Sequence, residues 1–202
     1  MTPANPARRP EPVALHDRAM DNLRFIRETM ERSTSFTAVS GWAGVAMGVL
    51  AVAAGAVARS VTTPLAWIGV WVAVAVVSSA VALVAMDRKA RAAGTSLLNG
   101  AGRKFVWSFA PPLGVGAVLT VALYRAGAAP LLPAIWLLLY GTAVVTGGQV
   151  SVRTVPLTGA VFMALGAAAA FSPTTWGDTY MVAGFGCVHI VSGLIIARRH
   201  GG

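Results

Sequence analysis

"VWVAVAVVSSAVALVAM", residues 70–86, decides the fold of this chain. It lies within a window of 27 residues, between Arg59 and Asp87, that holds no Asp, Glu, Lys or Arg. A helix needs about 20 mostly apolar residues to cross a hydrocarbon core about 30 Å thick. Inside lipid the backbone must satisfy its own hydrogen bonds, so an apolar window of this length predicts a helix. A membrane barrel would instead need segments of about ten residues with alternating polarity. The quoted run has no such alternation.

Five further charge-free windows flank this one. They hold 26 residues between Arg32 and Arg59, 20 between Lys104 and Arg125, and 27 between Arg125 and Arg153. The last two hold 24 residues between Arg153 and Asp178, and 19 between Asp178 and Arg198. The expected fold is an all-α membrane protein with six transmembrane helices, at about 38–58, 65–86, 105–124, 130–149, 155–172 and 180–197. Together they form a membrane domain over 36–198. Composition agrees with this. Across 202 residues, 56% are hydrophobic, 11% are charged, and the mean hydropathy is +0.69. A soluble domain carries about 25% charged residues, so a water-soluble monomer and a disordered chain are both excluded. Pro64, Pro130 and Pro156 fall near helix starts, where a missing N–H does no harm. Pro111-Pro112 falls inside the third window and predicts a kink there.

Lys and Arg set the orientation. Six lie before the first window and five in the second connection (Arg88, Lys89, Arg91, Arg103, Lys104). With six spans and the N-terminus inside, 14 fall on the cytoplasmic side and 2 on the other. Both termini are therefore expected in the cytoplasm. The net charge of +9 is accounted for by this topology and by anionic headgroups, so nucleic acid is not an expected partner. The same five residues are candidates for holding a lipid phosphate. No cleavable signal peptide is expected, and the first helix would serve as an uncleaved signal.

Residues 1–12, with Pro3, Pro6, Pro10 and Pro12, read as a disordered cytoplasmic lead. Over 13–35, Ala19, Leu23, Ile26 and Met30 form a narrow apolar seam. Arg24/Glu28, Arg27/Glu31 and Glu28/Arg32 are opposite charges four apart. This predicts an amphipathic cytoplasmic helix that lies on the inner leaflet or docks on protein. Residues 199–202 form a short cytoplasmic tail.

"IRETMERSTSFTAVSGWAGVAMG", residues 26–48, resembles the opening of a group of bacterial multi-pass membrane proteins with no assigned activity. "HIVSGLIIARRHGG", residues 189–202, resembles their end. The resemblance implies a bacterial inner-membrane location and no substrate, cofactor or catalytic residue.

His189 is the one ionisable side chain deep in a window, apart from the thiol of Cys187. Such a residue points to function by default. Its options are a hydrogen bond between helices, proton or ligand sensing, or ligation of a metal or haem. The other histidines, His16 and His200, lie outside the spans. Met47 and Met163 are weak donors, so the ligand set is thin for zinc, and no metal or cofactor is expected. A histidine in a sixth helix also invites comparison with rhomboid-type serine proteases. Those need a serine in a Gly-x-Ser-Gly turn on the fourth helix, and here Gly141 is followed by Thr142 and Ala143. No catalytic constellation is found.

Gly44/Gly48, Gly48/Gly55, Gly159/Gly166 and Gly186/Gly193 are spaced to keep small residues on one helix face. They predict close helix packing. Trp42, Trp67, Trp107, Trp136 and Trp176 fall near span ends, as an aromatic belt would. Pro111-Pro112 and Gly147-Gly148-Gln149 are the candidate breaks for a transport path. The first two and last two helices are faintly alike, as from a duplicated hairpin. The leading expectation is a non-enzymatic accessory, sensing or scaffold protein, bound by lipids and by a second copy or another membrane protein. A small-solute transporter or channel acting as an oligomer is the alternative. A redox or haem protein using His189 is the third.

Overall fold

The computed structural model describes residues 20–26, 38–94, 96–98 and 100–200. The chain divides into two units, Met1–Thr34 and Ser35–Gly202. In the first, residues 20–26 are helical, and Leu23 and Ile26 of the expected seam are exposed. Ala19, Met30, the lead over 1–12 and His16 lie outside the described residues, as do Gly201 and Gly202.

The second unit is helical, with no strand among the described residues. It carries six helices long and apolar enough to cross a membrane, as a multi-pass membrane protein requires. Helix α1 spans Gly41–Ala58, with the Ser40 hydroxyl accepting from the Ala43 N–H at its start. Helix α2 spans Pro64–Ala92, with Thr63 in the same role and proline in the first turn. It runs past the expected end at 86. Twenty-nine residues reach about 43 Å at 1.5 Å per residue, so the last turns extend beyond a hydrocarbon slab. The loss of a charge-free window marks where lipid would end and not where helical hydrogen bonding ends. Asp87 and Arg91, four apart, pair at 2.8 Å within those turns.

Helix α3 spans Gly100–Arg125 and begins five residues before the expected start. It stays helical through Pro111 and Pro112. Pro112 has no N–H for the carbonyl of Ser108, four residues back. The Thr146 hydroxyl of the neighbouring helix reaches to 3.5 Å from that oxygen. Gly127, at φ 71, ends α3, and the Ala128 N–H returns to the Leu123 carbonyl at 2.8 Å.

A 3₁₀ turn, Ala129–Leu131, leads into helix α4, Leu132–Gly148. Helix α5 spans Thr154–Phe171. The sixth candidate span is composite. It has a 3₁₀ turn at Thr174–Trp176, helix α6 at Gly177–Met181, a π-helical segment at Val182–Val188, and helix α7 at His189–His200. The sequence expectation of one plain helix over 180–197 contains no hint of the π segment.

Two pairs of elements pack at close range. Helix α1 lies against the π segment and α7, and α4 lies against α5. Helix α2 packs chiefly on α1, and α3 on α4. Both outer helices keep a broad apolar face uncovered: only 6% of the most hydrophobic stretch of each is buried, against 39% in α1 and 44% in the fourth span. A shallow groove along α3, lined by Ala117, Val118, Val121, Ala122, Arg125 and Ala126, belongs to that face.

Candidate functional site

The glycines define where backbones meet. A Cβ on Gly193 would lie 2.6 Å from the Gly41 carbonyl oxygen and 2.7 Å from Val45 N. On Gly44 it would lie 3.2 Å from Gly193 Cα, and on Gly48 2.6 Å from the Gly186 oxygen. On Gly186 it would lie 2.8 Å from a Val52 methyl, and on Gly55 it would overlap a Val182 methyl. Gly159 faces the Gly141 oxygen at 2.7 Å, and Gly166 faces Leu138 N at 2.8 Å. All seven glycines singled out in the sequence thus sit at contacts between helices. Gly41, Gly141, Gly148 and Gly184 sit at further contacts that spacing arguments did not single out. Gly141, weighed above against a protease turn, is a helical residue pressed on α5.

Between the two close pairs lies a layer of rings, and His189 stands within it. His189 opens α7 and is 8% exposed. Its Nδ1 lies 3.0 Å from the Phe185 carbonyl oxygen, and its Nε2 lies 2.8 Å from the Tyr140 hydroxyl. A carbonyl only accepts, so Nδ1 carries the proton. Nε2 is then the acceptor, and the Tyr140 hydroxyl donates to it. Phe162, fully buried, meets the imidazole edge to face at 5.1 Å and Tyr140 at 4.8 Å. Phe185 stacks on the imidazole at 6.2 Å and lies 5.1 Å from Tyr140, with Phe109 of α3 at 6.3 Å from the phenol. Gly184 makes room for this layer: a Cβ there would overlap Leu137 and lie 3.2 Å from the Phe162 ring.

Sequence reasoning found His189 and missed Tyr140. A signal was present. Tyr140 is the one tyrosine in the middle of a charge-free window, and a phenol in hydrocarbon needs an acceptor. His189 is the deep imidazole that serves it here. Cys187, two residues before it, is exposed and does not join the site. Met163 instead lies in the α4–α5 contact, beside Gly141. Among the described residues no three His, Cys, Asp or Glu side chains come together. Ligation of a metal or haem by His189 would require Tyr140 to give up Nε2.

The tryptophans behave in two ways. Trp42, Trp107 and Trp176 are exposed. Trp67 and Trp136, expected in an aromatic belt near span ends, stack on each other at 5.4 Å. Trp67 Nε1 donates to Asp178 Oδ1 at 2.7 Å, and Trp136 Nε1 to the Thr120 hydroxyl at 2.8 Å. Trp71, one turn deeper, is 4% exposed, and its indole N–H has no hydrogen-bond partner among the described residues.

Of the five basic candidates, Arg88, Lys89 and Arg91 lie in the last turns of α2, and Arg103 and Lys104 in the first turns of α3. Lys89 donates to the Val39 carbonyl at 3.2 Å and Arg91 pairs with Asp87, whereas Arg88, Arg103 and Lys104 are exposed. Leu97 of the connection packs in one cluster with Met86 and Ala90 of α2 and Phe105 of α3.

No protein family, curated protein or solved structure matches this chain.

Proposed function

We propose that this is a multi-pass protein of a bacterial inner membrane with both termini cytoplasmic. It acts without enzymatic chemistry, as an accessory, sensing or scaffold component. The observation that carries this is the filled interior. The deep imidazole of His189 has both ring nitrogens in internal hydrogen bonds and rings packed on its faces. Glycine contacts close the space between the helices on either side. A solute path needs unspent polar groups along a route, and a packed core of this kind favours contacts made on the outer surface instead. The uncovered faces of α2 and α3 supply that surface for lipid, for a second copy or for another membrane protein. Arg88, Arg103 and Lys104 supply charge for anionic headgroups at one edge.

The orientation follows from 14 basic residues on one side and 2 on the other. Fusions of alkaline phosphatase and green fluorescent protein to each end test it: fluorescence and no phosphatase activity are expected at both. The role is tested by isolating the protein in native lipid discs and identifying what accompanies it. A stoichiometric membrane protein or an enrichment of anionic lipid supports the reading. Saturable solute flux through the purified protein in proteoliposomes would replace it with the transporter reading.

A further inference from the structure

Two hydrogen bonds in the membrane domain have the same chemical form. In each, an oxidisable aromatic side chain gives its own acidic hydrogen to a proton acceptor. The Tyr140 hydroxyl donates to His189 Nε2 at 2.8 Å, and the Trp67 indole N–H donates to Asp178 Oδ1 at 2.7 Å. A line of rings joins them. Centroids are 6.2 Å apart from Trp67 to Trp71, 6.5 Å from Trp71 to Phe185, and 5.1 Å from Phe185 to Tyr140.

Taking an electron from a phenol leaves a cation that is strongly acidic. Such a cation gives its proton to a base within hydrogen-bond reach, so the electron leaves far more readily where an acceptor already stands on the hydroxyl. His189 is arranged to accept it. Its Nδ1–H is held by the Phe185 carbonyl, which turns the Nε2 lone pair to the hydroxyl. Trp67 has the same provision in the Asp178 carboxylate. Trp71 has none, because its N–H meets no acceptor. It can pass an electron on but is a poor place for the oxidised state to rest. The chain of rings therefore has a proton-coupled terminus at each end and a through-station between them.

We propose that Trp67, Trp71 and Tyr140, with the Phe185 ring as a bridge that is not itself oxidised, form a proton-coupled electron relay that oxidises Tyr140 in response to lipid peroxyl radicals. A peroxyl group is more polar than the acyl chain that carries it and moves toward the interface. Trp67 lies one turn from the start of α2 at Pro64, beside Asp178, where such a group would arrive. In the overall step one electron leaves the Tyr140 phenol and reduces the peroxyl radical to a peroxide anion. That anion takes a proton from water and becomes a lipid hydroperoxide, leaving hydroxide. The phenolic O–H bond breaks, its proton bonds to His189 Nε2, and a neutral tyrosyl radical remains hydrogen-bonded to imidazolium. The inference rests on the membrane reading above and not on the accessory role.

The test uses the full chain in phosphatidylcholine nanodiscs, with photogenerated ruthenium(III) tris-bipyridine as the oxidant and freeze-trapped electron paramagnetic resonance as the readout. A tyrosyl signal is expected in the wild type. It should be lost in Tyr140→Phe, although Tyr124 and Tyr180 remain. Trp71→Phe keeps the ring packing and leaves the Tyr140–His189 bond untouched, and the signal should again be lost. Formation of the signal should slow in D₂O. A signal that persists in Tyr140→Phe, or that is equal in Trp71→Phe and wild type, overturns the relay. In vesicles of linoleoyl lipid with a lipid-soluble azo initiator, the wild type should impose a lag on oxygen uptake that Trp71→Phe lacks. No lag from the wild type overturns the assignment of the oxidant. A chain that enters nanodiscs with its six spans protected from protease but forms no tyrosyl radical overturns the relay and leaves the membrane reading standing. A chain that does not enter them at all overturns that reading.

Discussion

Replacing Gly159 by alanine tests whether the α4–α5 contact holds the domain together. The added methyl carbon would lie 2.7 Å from the Gly141 carbonyl oxygen, 2.7 Å from Val145 N and 2.8 Å from a Val145 methyl. Ordinary contact begins at 3.4 Å, so the helices must part by about 0.7 Å. Two of the three opposing atoms are backbone, and no rotamer change can remove them. Overpacking of this kind costs about 1–3 kcal/mol. Alanine returns up to about 1 kcal/mol through its better helix propensity. The net expectation is a loss of about 1–2 kcal/mol. Gly114 of α3 is the control, because a Cβ there meets nothing within 4 Å. Gly114→Ala should be neutral or stabilising by up to about 1 kcal/mol. The assay is reversible unfolding in mixed dodecylmaltoside–SDS micelles, followed by circular dichroism. Equal midpoints for the two variants would refute the reasoning, since both make the same chemical change and differ only in what the methyl meets.

Tyr140→Phe removes one hydrogen bond and leaves His189 Nε2 without a donor. A loss of about 0.5–2 kcal/mol is expected in the same unfolding assay, and one above about 4 kcal/mol would show that the bond does more than join two helices. Asp178→Asn keeps an acceptor for the Trp67 N–H but removes the charge. The tryptophan emission should shift while the midpoint moves by less than about 1 kcal/mol, and an unfolded chain would contradict this. Arg91→Ala breaks an exposed pair with Asp87 and should change stability by less than about 0.5 kcal/mol. A larger loss would show that Arg91 has a partner beyond Asp87.

Much of this fold can be read from charge placement alone. The absence of charge over 60–86 is a strong signal, because a single Arg or Asp at mid-depth is so costly. Helix ends are less legible. Asp87 breaks the apolar window, but Arg88, Lys89 and Arg91 after it are good helix formers, and nothing stops α2 until Gly94 takes φ 69. The π segment is hidden for a related reason. One extra residue per turn over Val182–Val188 changes no composition and too little periodicity to see. At the site, His189 stands out because ionisable groups are rare in such windows. Tyr140 does not, because tyrosine is common near membrane edges, and only depth separates it from Tyr124 or Tyr180. The Trp67–Trp136 stack was masked by the same habit of span-end tryptophans. Its partners come from helices far apart in sequence, which no local pattern reports.

The placement of the histidine–tyrosine bond gives it a structural meaning beyond its own energy. Glycine contacts join α1 to the π segment and α7, and join α4 to α5, largely through backbone atoms that no rotamer change can move. The meeting of these two pairs is different in kind. It is made by Tyr140, Phe162, Phe185 and Trp71, whose flat faces can slide by a fraction of an ångström at little cost. Rings alone would leave the register of the pairs loosely defined. The hydrogen bond from Tyr140 on α4 to His189 on α7 pins that register at mid-depth, and the bond between Ser172 and Tyr180 at 2.8 Å pins it again near the end of α5. The π segment contributes directly, because it carries Phe185, whose ring belongs to the layer and whose carbonyl orients the imidazole. A single element thus sets the packing partner and the hydrogen-bond direction together. Loss of the phenolic hydroxyl should therefore loosen the relation between the pairs, seen as faster hydrogen exchange along 182–189, while the backbone amides at the Gly141–Gly159 contact stay protected.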